Sequence, residues 1–256
     1  MKEAYIVDGI RTAFGKFRGT LSGIRTDDLL AHVLKTLVER NGDIPTEAYE
    51  DVIIGCANQA GEDNRNVARM SALLAGLPWS VPGETINRPC SSGMSAIVHA
   101  NRAIKAGDAD LIISGGVEHM TRSPLAMSKS ASPYGGDSKI YDTSFGWRFI
   151  NPKMEKLYGT EAMGKTAENL ADKFDVNRLD QDKFAVWSQQ KAAAARDSGR
   201  LAKEIVPIEI PRRKQDPLVF DQDEFIKPTS SVEGLAKLRT VFKEGGSVTA
   251  GNASGL

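Results

Sequence analysis

Cysteine is scarce in this sequence: two occur among 256 residues, at positions 56 and 90. Two thiols do not make the disulfide framework of a small secreted domain, so a reducing, cytoplasmic compartment is expected. Histidine is nearly as rare, with three residues. No cysteine and histidine have the spacing of metal ligands. The sequence therefore predicts neither a disulfide scaffold nor a metal site.

An excess of one charge is also lacking. Lys+Arg and Asp+Glu both number 33, so the formal net charge is zero. A balanced composition gives no reason to expect nucleic acid or an anionic membrane as a partner. No apolar run approaches the ~18 residues of a membrane-spanning helix, and the first residues lack the apolar core of a signal peptide. Neither a P-loop nor a G-x-G-x-x-G motif is present, which disfavours a nucleotide-phosphate cradle of those kinds.

Strands and helices are predicted to alternate over the first 120 residues. This alternation indicates an α/β fold with a parallel sheet. The continuous apolar run at 52–56 is typical of a strand buried on both faces, and Thr26 is expected to cap the first helix. The predicted elements are strands at 4–7, 52–56, 85–87 and 110–114, and helices at 26–41, 66–74 and 92–104.

The chain changes character near residue 121. Prolines, glycines and aromatic residues are frequent at 123–160, and no long periodic segment occurs there, which indicates irregular, inserted chain. A long helix is then predicted from the cap residue Asn177 to a point before Gly199. A strand at 205–210 and a short helix at 232–238 complete the prediction.

Cys90 occupies the most informative position in the sequence. A β-type run stops at Pro89, and small, helix-compatible residues follow Cys90 at once. The thiol is therefore predicted at a strand-to-helix junction, near the positive end of the helix dipole and two residues from Arg88. Both influences favour the thiolate, the form that attacks carbonyl and thioester carbons. A small core residue is the alternative interpretation, and position alone does not decide between them.

The helix after Cys90 is predicted to be enclosed by protein. Apolar residues go nearly all the way round it, which is typical of a buried helix. Cys90 is accordingly expected deep in the protein, at the foot of a channel. The apolar residues are Met94, Ala96, Ile97, Val98, Ala100, Ala103 and Ile104.

The other cysteine and the histidines have weaker claims to a chemical role. Cys56 ends an apolar strand with no charge beside it in the sequence, so an inert core thiol is expected. His32 and His99 lie within predicted helices and are interpreted as structural. His119 follows a strand end, where active-site loops occur, and is either a partner of Cys90 or a packing residue.

Five further motifs stand out along the chain. They are GCANQAGEDN at 55–64, NRPCSSG at 87–93, SGGVE at 114–118, GKTAEN at 164–169 and VTAGNASG at 248–255. In this order they resemble the motifs of the thiolase family of acetyl-CoA acyltransferases. The similarity extends from VDGIRT at 7–12 to the last residues, and GWRFINP at 146–152 resembles the 3-oxoadipyl-CoA thiolase branch.

The resemblance implies a fold of two similar α/β halves, with a loop domain inserted into the first half to cover coenzyme A. The N-terminal α/β domain corresponds to 1–120, the loop domain to 121–247, and 248–256 return to the N-terminal domain. The family's second half supplies an Asn-Glu-Ala-Phe segment, a Gly-His-Pro histidine and a Cys-x-Gly cysteine. None of these precedes Leu256. The expected fold class is therefore a thiolase-like α/β half without its C-terminal counterpart.

The resemblance also implies roles for single residues. Cys90 corresponds to the nucleophile that takes the acyl group, and an acetyl-CoA carbanion then attacks the resulting thioester. Acyl-CoA and acetyl-CoA are the implied substrates, no cofactor or metal is implied, and the chain is expected to form a homodimer or homotetramer. The surface that holds coenzyme A would involve Met163, Lys227, Gly234, Ala250 and Ser254.

Three hypotheses follow. The first is a thiolase that transfers acyl groups through Cys90, in reversible condensation and thiolysis of 3-oxoacyl-CoA. The second is a catalytically incompetent half that binds coenzyme A and folds or assembles only with a partner, since the assisting histidine and the acid/base cysteine belong to the second half. In such a half, one face of the Cys90 helix is expected to be exposed. A redox-sensing thiol, motivated by Cys90 alone, is the third.

Overall fold

The computed structural model describes residues 2–58 and 61–255, which form two compact units. The first unit comprises Met1–Thr12, Thr20–Ser144 and Glu204–Phe220, and the second comprises Ala13–Gly19, Phe145–Lys203 and Asp221–Leu256. Gln59 and Ala60 of the 55–64 motif lie outside the described residues. The domain limits expected after residues 120 and 247 stay a prediction.

A three-stranded parallel sheet forms the framework of the first unit. Its strands are β2 (Asp51–Gly55), β3 (Gly83–Ile86) and β4 (Ile112–Gly116), in the order β3-β2-β4. Gly55 at the end of β2 is in register with Ile86 of β3 and Gly116 of β4, so the carboxyl ends of all three strands meet at one edge. The parallel α/β arrangement expected from the sequence is confirmed.

Both faces of strand β2 are covered by helices. Val52 and Ile54 pack with residues of α1 (Thr26–Arg40) and α2 (Val67–Leu74) in one core cluster. Ile53 points the other way and packs with Ala96 and Ala100 of α3 (Ser92–Ala106). Successive side chains of a strand alternate between its faces, so a strand covered on both sides is apolar throughout. The interpretation of the run at 52–56 is confirmed.

The helix ends of the first unit follow local hydrogen-bonding rules, with one correction. Asn66 caps α2 by accepting a hydrogen bond from the Arg69 amide, and Gly107 ends α3 in the left-handed conformation. The sequence suggested that Thr26 caps α1, but the structure does not bear this out. Thr26 is the first helical residue, and Arg25 takes the cap position without a side-chain hydrogen bond.

The strand expected at 4–7 is absent from the described structure. Tyr5, Ile6 and Val7 are 74%, 84% and 77% exposed. A strand forms only where a neighbouring strand takes up its backbone hydrogen bonds, and none of the described strands pairs with these residues. The first strand is instead β1 (Arg11–Thr12), which pairs in parallel with β7 (Ile205–Val206).

Two antiparallel hairpins complete the first unit. One joins β5 (Leu125–Met127) to β6 (Ile140–Asp142), within the part predicted to be irregular. The other joins β8 (Ile208–Arg212) to β9 (Gln215–Phe220). The strand predicted at 205–210 is therefore divided between β7 and β8, since Pro207 lies between them and has no amide to donate.

The second unit is helical. Its helices are α4 (Pro152–Tyr158), α5 (Met163–Phe174), α6 (Arg178–Asp197) and α7 (Val232–Ala236). Asn177 caps α6 by accepting from the Asp180 amide, as predicted, and Ser231 caps α7 by accepting from the Gly234 amide. In the described ranges, no helix combines the length and apolar character needed to cross a membrane.

Candidate active site

Cys90 lies where the sequence placed it, between the end of β3 at Ile86 and the start of α3 at Ser92. Its side chain is exposed, however, so the expectation of a thiol deep in the protein is wrong for this structure. Met94, one helical turn further on, is 70% exposed, and Ile97 and Val98 of the same helix are also exposed. Only the face of α3 that packs on the sheet is buried, and no described segment covers the other face.

Four hydrogen bonds between nearby residues hold the loop that carries Cys90. The Ser91 amide donates to Arg88 O at 2.9 Å, and the Ser92 amide donates to Pro89 O at 3.1 Å. The Ser92 hydroxyl accepts from the Arg88 amide at 2.9 Å and donates to Pro89 O at 2.7 Å. The thiol is therefore displayed on an ordered turn.

Glycines bring this turn close to the carboxyl edge of the sheet. A Cβ atom at Gly55 of β2 would overlap the backbone of Ser92 and Gly93, at the start of α3. A Cβ at Gly116 of β4 would lie 3.2 Å from Gly93 Cα. The helix start can approach both strand ends only because these side chains are absent. The carboxyl edge of a parallel sheet is also where α/β proteins bind ligands.

The electrostatics of the Cys90 loop favour negative charge. Arg88 is in the loop, and the amides of the first turn of α3 lie just after it, where the helix dipole is positive. The Ser91 side chain occupies the cap position but makes no capping hydrogen bond. Free amides at a helix start can stabilise an oxyanion that develops beside them.

A polar network supports the chain on the other side of Cys90. The Asn87 side chain donates to Ala57 O at 2.8 Å. The Glu118 carboxylate, beyond the end of β4, accepts from the amides of Ala57 and Asn58 at 2.9 and 3.4 Å. Desolvation of this carboxylate raises the pKa of Glu118 above its ordinary value despite these two hydrogen bonds. The residue before the Cys90 turn is thus tied to the loop that follows β2.

Cys56 is a buried thiol, as expected, but a carboxylate lies nearby. Its sulfur is 3.9 Å from Asp63 Oδ2. Burial is the main reason why the pKa of Cys56 rises to about 12, and the negative charges of Glu118 and Asp63 add to the rise. A thiol with so high a pKa is almost entirely protonated at neutral pH. Cys56 is therefore a poor nucleophile.

The histidines contact backbone carbonyls. His119 Nε2 lies 3.0 Å from Leu21 O, and His32 Nε2 lies 2.9 Å from Pro207 O. The packing role left open for His119 is thus the one that the structure supports. Over residues 2–58 and 61–255, no group of three His, Cys, Asp or Glu residues is arranged to hold a metal ion.

The residues that the resemblance assigns to coenzyme A all lie in the second unit. Met163 is the first residue of α5, and its side chain is exposed, as are those of Ala250 and Ser254. The Lys227 amide donates to Gln189 Oε1 of α6 at 2.7 Å. Gly234 lies within α7. The structure describes where these residues lie, and their contacts with coenzyme A stay a prediction.

Close packing joins three of the segments that carry these residues. A Cβ atom at Gly251 would overlap the side chains of Leu235 and Leu238, at and beyond the end of α7. A Cβ at Gly255 would overlap the ring of Phe225, two residues before Lys227. The segment with Ala250 and Ser254 therefore packs against the chain just after Gly234 and just before Lys227.

Two buried carboxylates hold the segment 247–252. Glu168 of α5 is 1% exposed and accepts hydrogen bonds from the Ser247 and Val248 amides at 2.7 to 2.9 Å. Asp182 of α6, also 1% exposed, accepts from Asn252 Nδ2 at 2.9 Å and from Arg178 Nε at 2.8 Å. The 164–169 and 248–255 motifs are therefore parts of one hydrogen-bonded structure.

Hydrogen bonding determines the ionisation of Glu168. Burial alone would raise its pKa, but the two amides, the Ser247 hydroxyl and the charge of Lys243 together lower the pKa below its ordinary value. A carboxylate that accepts several backbone hydrogen bonds is stabilised in its ionised form. Glu168 therefore carries its negative charge within the folded unit.

Sequence reasoning did not identify Gly55, Ser92, Glu168 or Asp182 as determinants of the site. All but Asp182 lie in motifs on which the resemblance rests, so membership in these motifs was the one feature of the sequence that could have pointed to them. The partners of Glu168 and Asp182 in the segment 247–252, however, are 70 to 80 residues away in the chain. No periodicity within a helix reveals such contacts.

Comparisons with known proteins agree with the motifs. The thiolase N-terminal domain model matches residues 4–256. The chain is 57% identical over 256 residues to the β-ketoadipyl-CoA thiolase of Acinetobacter baylyi, covering 100% of this chain and 64% of the relative. It is 52% identical to the 3-oxoadipyl-CoA/3-oxo-5,6-dehydrosuberyl-CoA thiolase of Escherichia coli K12, with the same coverage.

A solved structure shows the same fold. The Bacillus anthracis acetyl-CoA acetyltransferase superimposes with a TM-score of 0.89 at 36% sequence identity, covering 100% of this chain and 63% of the other. This chain therefore spans less than two thirds of the length of the relatives described here. The family model matches almost the whole length of this chain. The chain therefore belongs to the thiolase family and corresponds to the family's N-terminal domain.

Proposed function

We propose that this chain supplies the acyl-accepting part of a thiolase reaction. The observation that carries the proposal is the exposed Cys90 thiol on an ordered turn, at the start of α3 and at the carboxyl edge of a parallel sheet. The Cys90 thiolate attacks the carbonyl carbon of an acyl-CoA, and coenzyme A leaves as its thiolate. The acyl group then remains on Cys90 as a thioester, whose carbonyl carbon is still electrophilic.

The second half-reaction forms a carbon–carbon bond. A carbanion derived from acetyl-CoA attacks the acyl-Cys90 carbonyl, Cys90 leaves as a thiolate, and a 3-oxoacyl-CoA results. Thiolysis is the reverse sequence. Removing the α-proton of acetyl-CoA needs a base, a role that the resemblance gives to a second cysteine. The only other cysteine in this sequence, Cys56, is buried, and its pKa is raised to about 12. We therefore assign acyl transfer to this chain and leave the proton transfer to the rest of a complete thiolase.

Substrate, assembly and location form the finer part of the proposal. The names of the relatives favour a 3-oxo-dicarboxylyl-CoA of the 3-oxoadipyl type as the substrate. Met163, Lys227, Gly234, Ala250 and Ser254 are proposed to contact coenzyme A, which is bound as a substrate thioester without a further cofactor. A homodimer or homotetramer in the cytoplasm is the proposed setting. Light scattering after size exclusion tests the oligomeric state.

Intact-mass spectrometry after incubation with acetyl-CoA tests the central step. The parent chain and a Cys56→Ala variant should each gain one acetyl group, and Cys90→Ala should gain none. Acetylation of Cys90→Ala to the same extent as the parent would contradict the proposal. Coenzyme A binding without acetylation of the parent would instead favour the second hypothesis, a half that binds the substrate but does not react with it.

A further inference from the structure

The Ser92 hydroxyl joins the two ends of the Cys90 turn. It accepts a hydrogen bond from the Arg88 amide at 2.9 Å and donates one to Pro89 O at 2.7 Å. Ser92 is only 4% exposed, although Cys90 two residues earlier is exposed. A buried hydroxyl that uses both its donor and an acceptor position is a specific link within the turn.

Backbone bonds alone fix only part of this turn. The Ser91 and Ser92 amides bond to Arg88 O and Pro89 O, which closes the turn from its helical side. The Arg88 amide, on the strand side, donates its hydrogen bond to the Ser92 hydroxyl oxygen. Without the hydroxyl, that amide loses its acceptor, and the chain entering the turn is no longer tied to the first residue of α3.

Ser92 is held in place by its packing against strand β2. The backbone of Ser92 and Gly93 packs so closely on Gly55 of β2 that no Cβ atom fits there. The hydroxyl thus belongs to a residue that is held against the sheet, and its two hydrogen bonds hold Arg88 and Pro89 in turn. Cys90 lies between these residues and Ser92.

We propose that Ser92 is a positioning residue that holds the Cys90 thiol in the geometry needed for attack on a thioester. Its importance for turnover rests on the function proposed above, whereas its effect on the turn does not. Loss of the hydroxyl should leave the thiol just as exposed but less well aligned. Reaction with a bulky, oriented acyl donor should therefore suffer more than reaction with a small alkylating reagent.

The test compares the parent, Ser92→Ala and Ser95→Ala. Ser95 is a buried serine on the same helix but outside the turn, which makes it a matched control. Ser92→Ala should lower the rate of Cys90 acetylation by acetyl-CoA about tenfold or more, as expected when a reacting group is misplaced. Alkylation of Cys90 by iodoacetamide should be unchanged. Cys56 should stay unlabelled in all three proteins, which shows that the fold is intact.

Amide hydrogen exchange gives a readout independent of catalysis. The Arg88 amide should be protected in the parent and in Ser95→Ala, and should lose protection in Ser92→Ala. Lack of protection in the parent, or equal protection in Ser92→Ala, would overturn the proposal, as would equal acetylation rates in the two. If the parent is not acetylated at all, the proposed function fails, and the exchange result alone decides whether Ser92 holds the turn.

Discussion

The Cys90 turn and the segment 247–252 are both short and irregular, but different chemistry holds each of them. The turn is fixed by a serine hydroxyl, by backbone hydrogen bonds and by close packing on Gly55. The segment 247–252 is fixed by the carboxylates of Glu168 and Asp182. The first arrangement depends on the shape of small residues, and the second on buried negative charge.

The difference follows from what each segment displays. A negative carboxylate beside Cys90 would oppose the formation of a thiolate, so a neutral hydroxyl suits that turn. The segment 247–252 instead directs the Ser247 and Val248 amides at the Glu168 carboxylate, and an ionised carboxylate is a strong acceptor for them. The two segments should therefore respond differently to added bulk, to loss of charge and to pH.

The largest expected effect comes from filling the space at Gly55. A Gly55→Ala substitution places a methyl group where the Ser92 and Gly93 backbone lies, and backbone cannot move aside as a side chain can. We expect a loss of about 3 kcal/mol in unfolding free energy, at the upper end of the usual cost of overpacking. Urea unfolding measures it. Gly115→Ala on neighbouring β4 is the control, because a Cβ there meets no atom within 4 Å. Equal stability of the two variants would contradict the packing argument.

Removing the charge of Glu168 should have the next largest effect. A Glu168→Gln substitution keeps the size of the side chain but replaces an acceptor oxygen with an amide group that faces the Ser247 and Val248 amides. We expect a loss of about 2 kcal/mol, typical of hydrogen bonds to a charged group. Thermal unfolding gives the difference. Glu161→Gln is the matched control, since Glu161 is an exposed acceptor for Asn169. A loss as large in Glu161→Gln would show that burial of Glu168 is not the cause.

A smaller effect is expected from pH. The pKa of Glu168 is lower in the folded than in the unfolded chain. Its contribution to stability is therefore fully present above the ordinary glutamate pKa and is lost as the pH falls through the folded-state pKa. Amide protection at Ser247 and Val248, corrected for intrinsic exchange, should decrease over that acidic range. Glu168→Gln should abolish this dependence. A profile that is the same in parent and variant would argue against a role for this carboxylate.

The sequence predicted several elements in both units because the signals for them are local. Short-range signals indicated a strand, two helix starts and a further helix, and the structure contains each of them. The signals are the apolar run at 52–56, Asn66 and Asn177, and the small residues after Cys90. The strand-to-helix junction at Cys90 could be inferred for the same reason.

The sequence failed where the outcome depends on a distant partner. Tyr5–Val7 has strand-forming residues but no described neighbour with which to pair, and the apolar residues of α3 do not reveal which of its faces is covered. The contacts of Glu168 with Ser247 and Val248 join residues 79 and 80 positions apart. Local pattern carries no information about such pairings.

Reversal of Cys90 acylation by coenzyme A is the most direct test of the central claim. The parent chain is acetylated with isotopically labelled acetyl-CoA, freed of the reagent and treated with coenzyme A, and peptide mass spectrometry follows the label at each cysteine and lysine. The account predicts a label on Cys90 that coenzyme A removes as labelled acetyl-CoA, with Cys56 unlabelled. A label spread over lysines, or one on Cys90 that coenzyme A does not remove, would contradict reversible acyl transfer through this thiol.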